Sequence, residues 1–166
     1  MIPRLRNCGD RIVWLEPNEE NTAHIVYQLS GMEEPEELYS YPINHLEEWE
    51  YPTTVIASKH YITYATYFNR LYTYDRKTGE TKQIGNTQYE LEENGDLVVW
   101  ANGVNLILLD LKSGETTYLR KPDTESTETV LFVRHTEDQF YTLITNLESG
   151  KQELTIYSPV KKWKKG

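Results

Sequence analysis

Four histidines, His24, His45, His60 and His135, are the residues best suited to acid–base or metal chemistry, and no two of them stand at metal-ligand spacing. The chain has no H-x-x-x-H or H-E-x-x-H, and its one cysteine, Cys8, has no neighbouring ligand, so a zinc site would have to be assembled entirely in space. There is no G-x-S-x-G elbow and no glycine-rich phosphate loop. The nearest glycines, Gly95 and Gly103, flank "NGDLVVWANGV" and read as hairpin turns. Calcium-loop spacing is also missing. The sequence therefore nominates no catalytic, cofactor-binding or metal-binding residue, and enzymatic activity is unsupported.

Charge narrows the partners. A net charge of −9 gives no electrostatic reason to approach a phosphate backbone, which requires clustered Lys and Arg, so nucleic-acid binding is disfavoured. No stretch reaches the length of a membrane span, and "MIPRLRNCGDRIVW" has no signal-peptide core, so a soluble, cytoplasmic chain is expected, with secretion open if a leader has been removed. The charge is unevenly placed. "MEEPEELYSYPINHLEEWE" (Met32 to Glu50) carries seven glutamates and no Lys or Arg, whereas the last six residues carry four lysines. The plain reading is a solvated face and a solubilising tail. The sharper one is that the two segments meet, within one chain or between two.

The elements that would position any site follow from period. "RIVWLE" and "HIVYQL" alternate apolar and polar residues and are rich in β-branched and aromatic types, as strands require. The pattern returns in "YITYATYFNRLYTYDRKTGETKQI", in "DLVVWANGVNLILLDLKSGETTYL" and more loosely in "QFYTLITNLESGKQELTIYS". Trp14, Tyr64 and Trp100 fall at matching places in the first three copies. A short, part-apolar segment precedes each copy. Counting it, one unit is four strands joined by turns. Aligning Asp10, His60, Asp96 and Asp138 at the turn before the long alternating strand gives spacings of 50, 36 and 42 residues. Four short antiparallel strands at a period near 40 mark the blade of a β-propeller.

The near-identity of "LYTYDRKTGE" (71–80) and "LILLDLKSGE" (106–115) is turn chemistry. Asp75 and Asp110 can accept hydrogen bonds from backbone amides two residues on, while Gly79 and Gly114 supply the positive φ of a type I turn with a G1 bulge. On these residues the chain resembles the β-propeller repeats of the TolB and PQQ type, in which a strand ending in D-x-x-[ST]-G-E is followed by another short strand. The resemblance covers almost the whole chain and implies architecture, not substrate. No unit has the Trp-Asp dipeptide of WD40 blades, and the tryptophan docking motif of blades that carry pyrroloquinoline quinone is missing, so no cofactor is carried over.

The expected fold is all-β, with about four four-stranded blades over residues 2–43, 52–85, 88–120 and 128–164 and an acidic, aromatic insertion over 32–51. Closed propellers usually need more than four blades. The chain could close as a small ring, pair with a second copy into eight blades, or belong to a longer protein. The pair is slightly favoured, because known small rings rely on ties such as disulfides and a single cysteine rules that device out.

Two functional readings result. The first is a non-catalytic protein-interaction module or scaffold whose partner is a protein, a second copy of itself included, with the interface placed on Tyr39, Tyr41, Trp49 and Tyr51, whose rings have no obvious blade position. The second is a small-molecule or glycan binder, or a hydrolase- or lyase-type propeller, using its central channel near His60, Asp96 and His135. For the two histidines, the role of polar turn residue is preferred.

Overall fold

The computed structural model describes residues 6–8, 11–31, 33–47, 50–87, 91–94, 96–120, 126–136 and 139–158. Trp49, Asp10, Asp138 and the lysine-rich end 161–165 lie outside them. The described elements are strands joined by turns, grouped in four antiparallel sheets, with neighbours in sequence paired in space. The chain divides into two compact units, Met1–Asn86 and Thr87–Gly166.

In the first unit, β1 (Arg6–Cys8), β2 (Arg11–Pro17), β3 (Ala23–Ser30) and β4 (Glu36–Pro42) form the first sheet in that order. Alternation in β2 sends Val13 and Leu15 to a buried face and Ile12, Trp14 and Glu16 to the other. The β2–β3 hairpin closes on Asn18, whose Oδ1 accepts from the amides of Thr22 (2.8 Å) and Ala23 (3.0 Å). β5 (Pro52–Ala57), β6 (Tyr61–Thr66), β7 (Arg70–Asp75) and β8 (Thr81–Asn86) form the second sheet. Its first strand packs against β2 and β1 of the sheet before it.

The stretch read from sequence as an insertion, 32–51, contains β4, the outermost strand of the first sheet. Its alternation was obscured by glutamates and a bulge: the β3–β4 register shifts between Val26 and Tyr27. An outermost strand can be this acidic where its charges stay in water, and Glu36, Glu37, Ser40 and Pro42 are all exposed.

In the second unit, β9 (Leu91–Asn94), β10 (Leu97–Asn102), β11 (Asn105–Asp110) and β12 (Thr116–Arg120) form the third sheet. β13 (Glu128–His135), β14 (Phe140–Asn146) and β15 (Gln152–Tyr157) form the fourth, which has three strands among the described residues where the repeat predicts four. β13 packs against β9 and β10, the same inter-sheet relation as in the first unit. The core between them joins Val99, Ala101, Leu106 and Leu108 to Val130, Val133, Phe140 and Ile144. An Arg120–Glu128 ion pair ties the end of β12 to the start of β13.

The D-x-x-[ST]-G turns behave as their residue types require. Asp75 Oδ1 accepts from the amides of Lys77 (2.8 Å) and Thr78 (3.2 Å), and Asp110 Oδ1 from those of Lys112 (2.8 Å) and Ser113 (3.0 Å). Gly79 and Gly114 have φ of +76° and +74°. Asn146 repeats the arrangement toward Glu148 and Ser149, with Gly150 at +68°. In the second and third sheets this turn joins the third strand to the fourth; in the fourth sheet it joins β14 to β15, one hairpin earlier. That shift explains why the last copy of the repeat matched only loosely.

Candidate functional site

The candidate channel residues are distributed by the same turns. His60 lies in the β5–β6 turn with an exposed side chain, and its carbonyl accepts from the Arg76 amide at 2.9 Å. Asp96 holds the corresponding place in the β9–β10 turn, accepting from the Leu111 amide at 2.8 Å. In the fourth sheet the same bond, at 2.8 Å, runs from the Leu147 amide to the carbonyl of Thr127. Judged by this bond, the position in the fourth sheet equivalent to Asp96 is Thr127, whereas the sequence alignment put Asp138 there. His60 and Asp96 thus share a backbone task, anchoring the motif turn.

His135, at the end of β13, points at β9: its Nδ1 is 2.9 Å from Glu92 Oε2, with both side chains largely covered. Its ring also lies 6.2 Å from that of Phe140. This pair fastens two neighbouring sheets, a contact that no linear motif announces. Among the described residues, no group of three or more His, Cys, Asp or Glu side chains could hold a metal ion.

The candidate interface tyrosines form a seam between the first and second sheets. Tyr39, opposite Val26 on the buried face, stacks on Tyr74 with centroids 4.1 Å apart. Tyr41 meets Tyr64 edge-on at 5.1 Å, and Tyr64 stacks on Tyr72 at 5.4 Å. Tyr51 meets the buried His24 edge-on at 5.3 Å. Burial holds the Tyr39 and Tyr41 phenols above their ordinary range. Tyr64 is pushed far higher, first by burial and then by the neighbouring Tyr41 and Tyr39 phenols. Burial also lowers the His24 imidazole, against a hydrogen bond to the Pro52 backbone that favours its charged form. Three of the four aromatics nominated for an interface therefore have positions inside the unit, and Trp49 lies outside the described residues.

A small open pocket borders the seam, lined by Tyr41, Glu50, Thr66, Phe68, Arg70 and Tyr72. It holds about 40 Å³, room for a few waters, against the several hundred Å³ typical of a small-molecule site.

Sequence reasoning did not single out one exposed apolar surface among the described residues. In the fourth sheet one face enters the core through Val130, Val133, Phe140 and Ile144. On the other, Leu154 pairs with Leu143, Leu143 with Phe132, and Ile156 with Tyr141. Leu154 and Ile156 are 61% and 55% exposed. The third sheet contrasts with this: Val98, Trp100, Ile107 and Leu109, on its second face, are buried too. Alternation in "QELTIYS" was a signal for this face, since a wet outer strand would place polar residues there.

Four antiparallel sheets in sequence order, stacked face to face within each unit, make this a β-propeller-type repeat fold. Solved structures agree. The chain is similar to the N-terminal domain of Nup159, with a TM-score of 0.52 at 14% identity, covering 93% of this chain and 44% of that one. It is similar to the solved HIRA fragment, with a TM-score of 0.54 at 11% identity, covering 93% and 52%. Both are β-propeller proteins. It is also similar to the computationally designed Ika4 protein, with a TM-score of 0.52 at 13% identity, covering 93% and 88%. The chain thus spans about half the length of those two solved chains. No protein-family model matches the chain, and no curated protein matches its sequence.

Proposed function

We propose that this chain is a protein-interaction module and that the outer face of its fourth sheet is the docking surface. The observation that carries this reading is the exposure of Leu154 and Ile156 beside Leu143, Phe132 and Tyr141 on one face of a sheet. Contiguous exposed apolar patches on soluble proteins mark association sites. One solved complex has S. cerevisiae dbp5 bound to nup159, a chain with this fold; protein binding is a use this architecture accommodates.

A Leu154→Lys/Ile156→Lys variant tests the reading. It should keep the thermal midpoint within a few degrees and lose the associations that the parent chain shows in sedimentation velocity and in cross-links mapped by mass spectrometry. Associations that persist, or map elsewhere, would overturn it. So would unfolding of the variant, which would make the face part of an internal core.

The second reading is a small-molecule or glycan site in the pocket beside Tyr41, where exposed Tyr67 and Phe68 adjoin Arg70. A thermal-shift screen of sugars and divalent metals tests it: a shift abolished by Arg70→Ala would favour it, and a flat screen would remove it.

A further inference from the structure

We infer that the partner of the fourth sheet's outer face is the outer face of the first sheet in a second copy of this chain, joined head to tail. The inference rests on the interaction function proposed above and names its partner.

The first sheet presents a matching surface. On the face opposite Val13, Leu15 and Val26, register pairs Ile12 with Leu29 and Trp14 with Tyr27. Trp14 and Tyr27 stack at 5.6 Å, and Ile12 is 40% exposed. In each unit the sheets follow one rule: the first strand of a sheet packs on the first two strands of the sheet before it. By that rule β1 of a second copy would lie over β13 and β14, on the face that carries Phe132, Tyr141 and Leu143, and the rest of the first sheet's outer face would follow it.

Charge agrees. Glu16 and Glu37 stand on the first sheet's outer face, opposite Ile25 and Tyr27. Arg134, opposite Tyr141, stands on that of the fourth, its guanidinium 5.8 Å above the Phe132 ring. Area agrees as well. Three strands about 4.8 Å apart and six residues of about 3.3 Å each give a face of roughly 300 Å². A closed pair makes the junction twice and so buries four such faces, about 1,200 Å² in all, the lower end of stable interfaces. The natural chains of this fold cited above are about twice as long, and a second copy supplies that length.

A head-to-tail junction uses two different surfaces, which permits a complementation test. One variant, Leu154→Lys/Ile156→Lys, spoils the fourth sheet's face; another, Ile12→Lys/Tyr27→Lys, spoils the first's. Each alone should sediment as a monomer at every concentration; an equimolar mixture keeps one junction, half the buried area of the closed pair, so a two-chain species should reappear in it at higher concentrations than the wild type needs. A wild type that associates while the mixture does not would overturn the head-to-tail arrangement and leave the interaction function standing. A wild type that is monomeric at every concentration would overturn the second copy as partner, leaving the interaction function to its own cross-linking test.

If the Ile12→Lys/Tyr27→Lys variant fails to fold, single cysteines in a Cys8→Ser background test the junction instead. Chains carrying Ile12→Cys, mixed with chains carrying Leu154→Cys, should be joined by a short bis-maleimide. Capture in the mixture supports the junction. Capture only within one chain that carries both cysteines would overturn it.

Discussion

The ring of Tyr39 lies on that of Tyr74, centroids 4.1 Å apart and planes at 29°, so the outermost strand of the first sheet is bound to the third strand of the second. Stacked aromatic pairs contribute about 0.5–1.5 kcal/mol beyond the area they bury. A double-mutant cycle with Tyr39→Leu and Tyr74→Leu should give a coupling energy in that range in urea unfolding. Purely additive losses would show that the two rings do not act as a pair.

The buried phenols predict an alkaline limit to stability. The folded pKa of Tyr64 lies far above the ordinary value, and those of Tyr39 and Tyr41 are also raised. A raised folded pKa gives stability that is fully present below the unfolded value of about 10 and is lost as pH rises beyond it. Stability should therefore fall above about pH 10, and Tyr64→Phe, which has no phenol to ionise, should fall less steeply. Equal slopes in urea titrations at pH 8 and above 10 would contradict this.

His24 predicts an acid counterpart. Its ring is buried and its folded pKa lowered, so in acid the unfolded state binds more protons than the folded one. Its contribution is constant above the unfolded value of about 6.5 and is lost as pH falls from there toward the lowered folded value. The stability difference between wild type and His24→Gln should shrink between pH 7 and pH 5. A pH-independent difference would remove His24 as the cause.

Gly114 has φ of +74°, and a Cβ there would meet nothing within 4 Å, so Gly114→Ala isolates backbone strain. The expected cost is about 1–2 kcal/mol. Asp110→Ala, which removes the acceptor for the Lys112 and Ser113 amides, should cost about 1 kcal/mol more than a surface Asp→Ala outside a turn. Midpoints unchanged in both variants would mean that the repeated motif is not needed to close the hairpin.

Much of the fold was legible because it is local. Val13 and Leu15, Val99 and Ala101, and the Asp75 and Asp110 turns follow from strand period and turn chemistry, and each behaves as its residue type requires. Long-range pairing was not legible. β4 hides its alternation behind glutamates and a bulge, and the places of Tyr39 and Tyr41 are set by Tyr74 and Tyr64, on strands far away in sequence. His135 and Asp96 were chosen for their chemistry, but Glu92 and the Leu111 amide use them structurally. The outer face of the fourth sheet needed the register of Leu154 on Leu143, which no single strand reveals.

The most direct test of the account is the mass of the purified chain in solution, by light scattering over a concentration series at two salt concentrations. A head-to-tail junction of first and fourth sheets predicts a mass near twice 19.5 kDa at the higher concentrations, reduced to a single chain by Leu154→Lys/Ile156→Lys. A mass of 19.5 kDa at every concentration would contradict it.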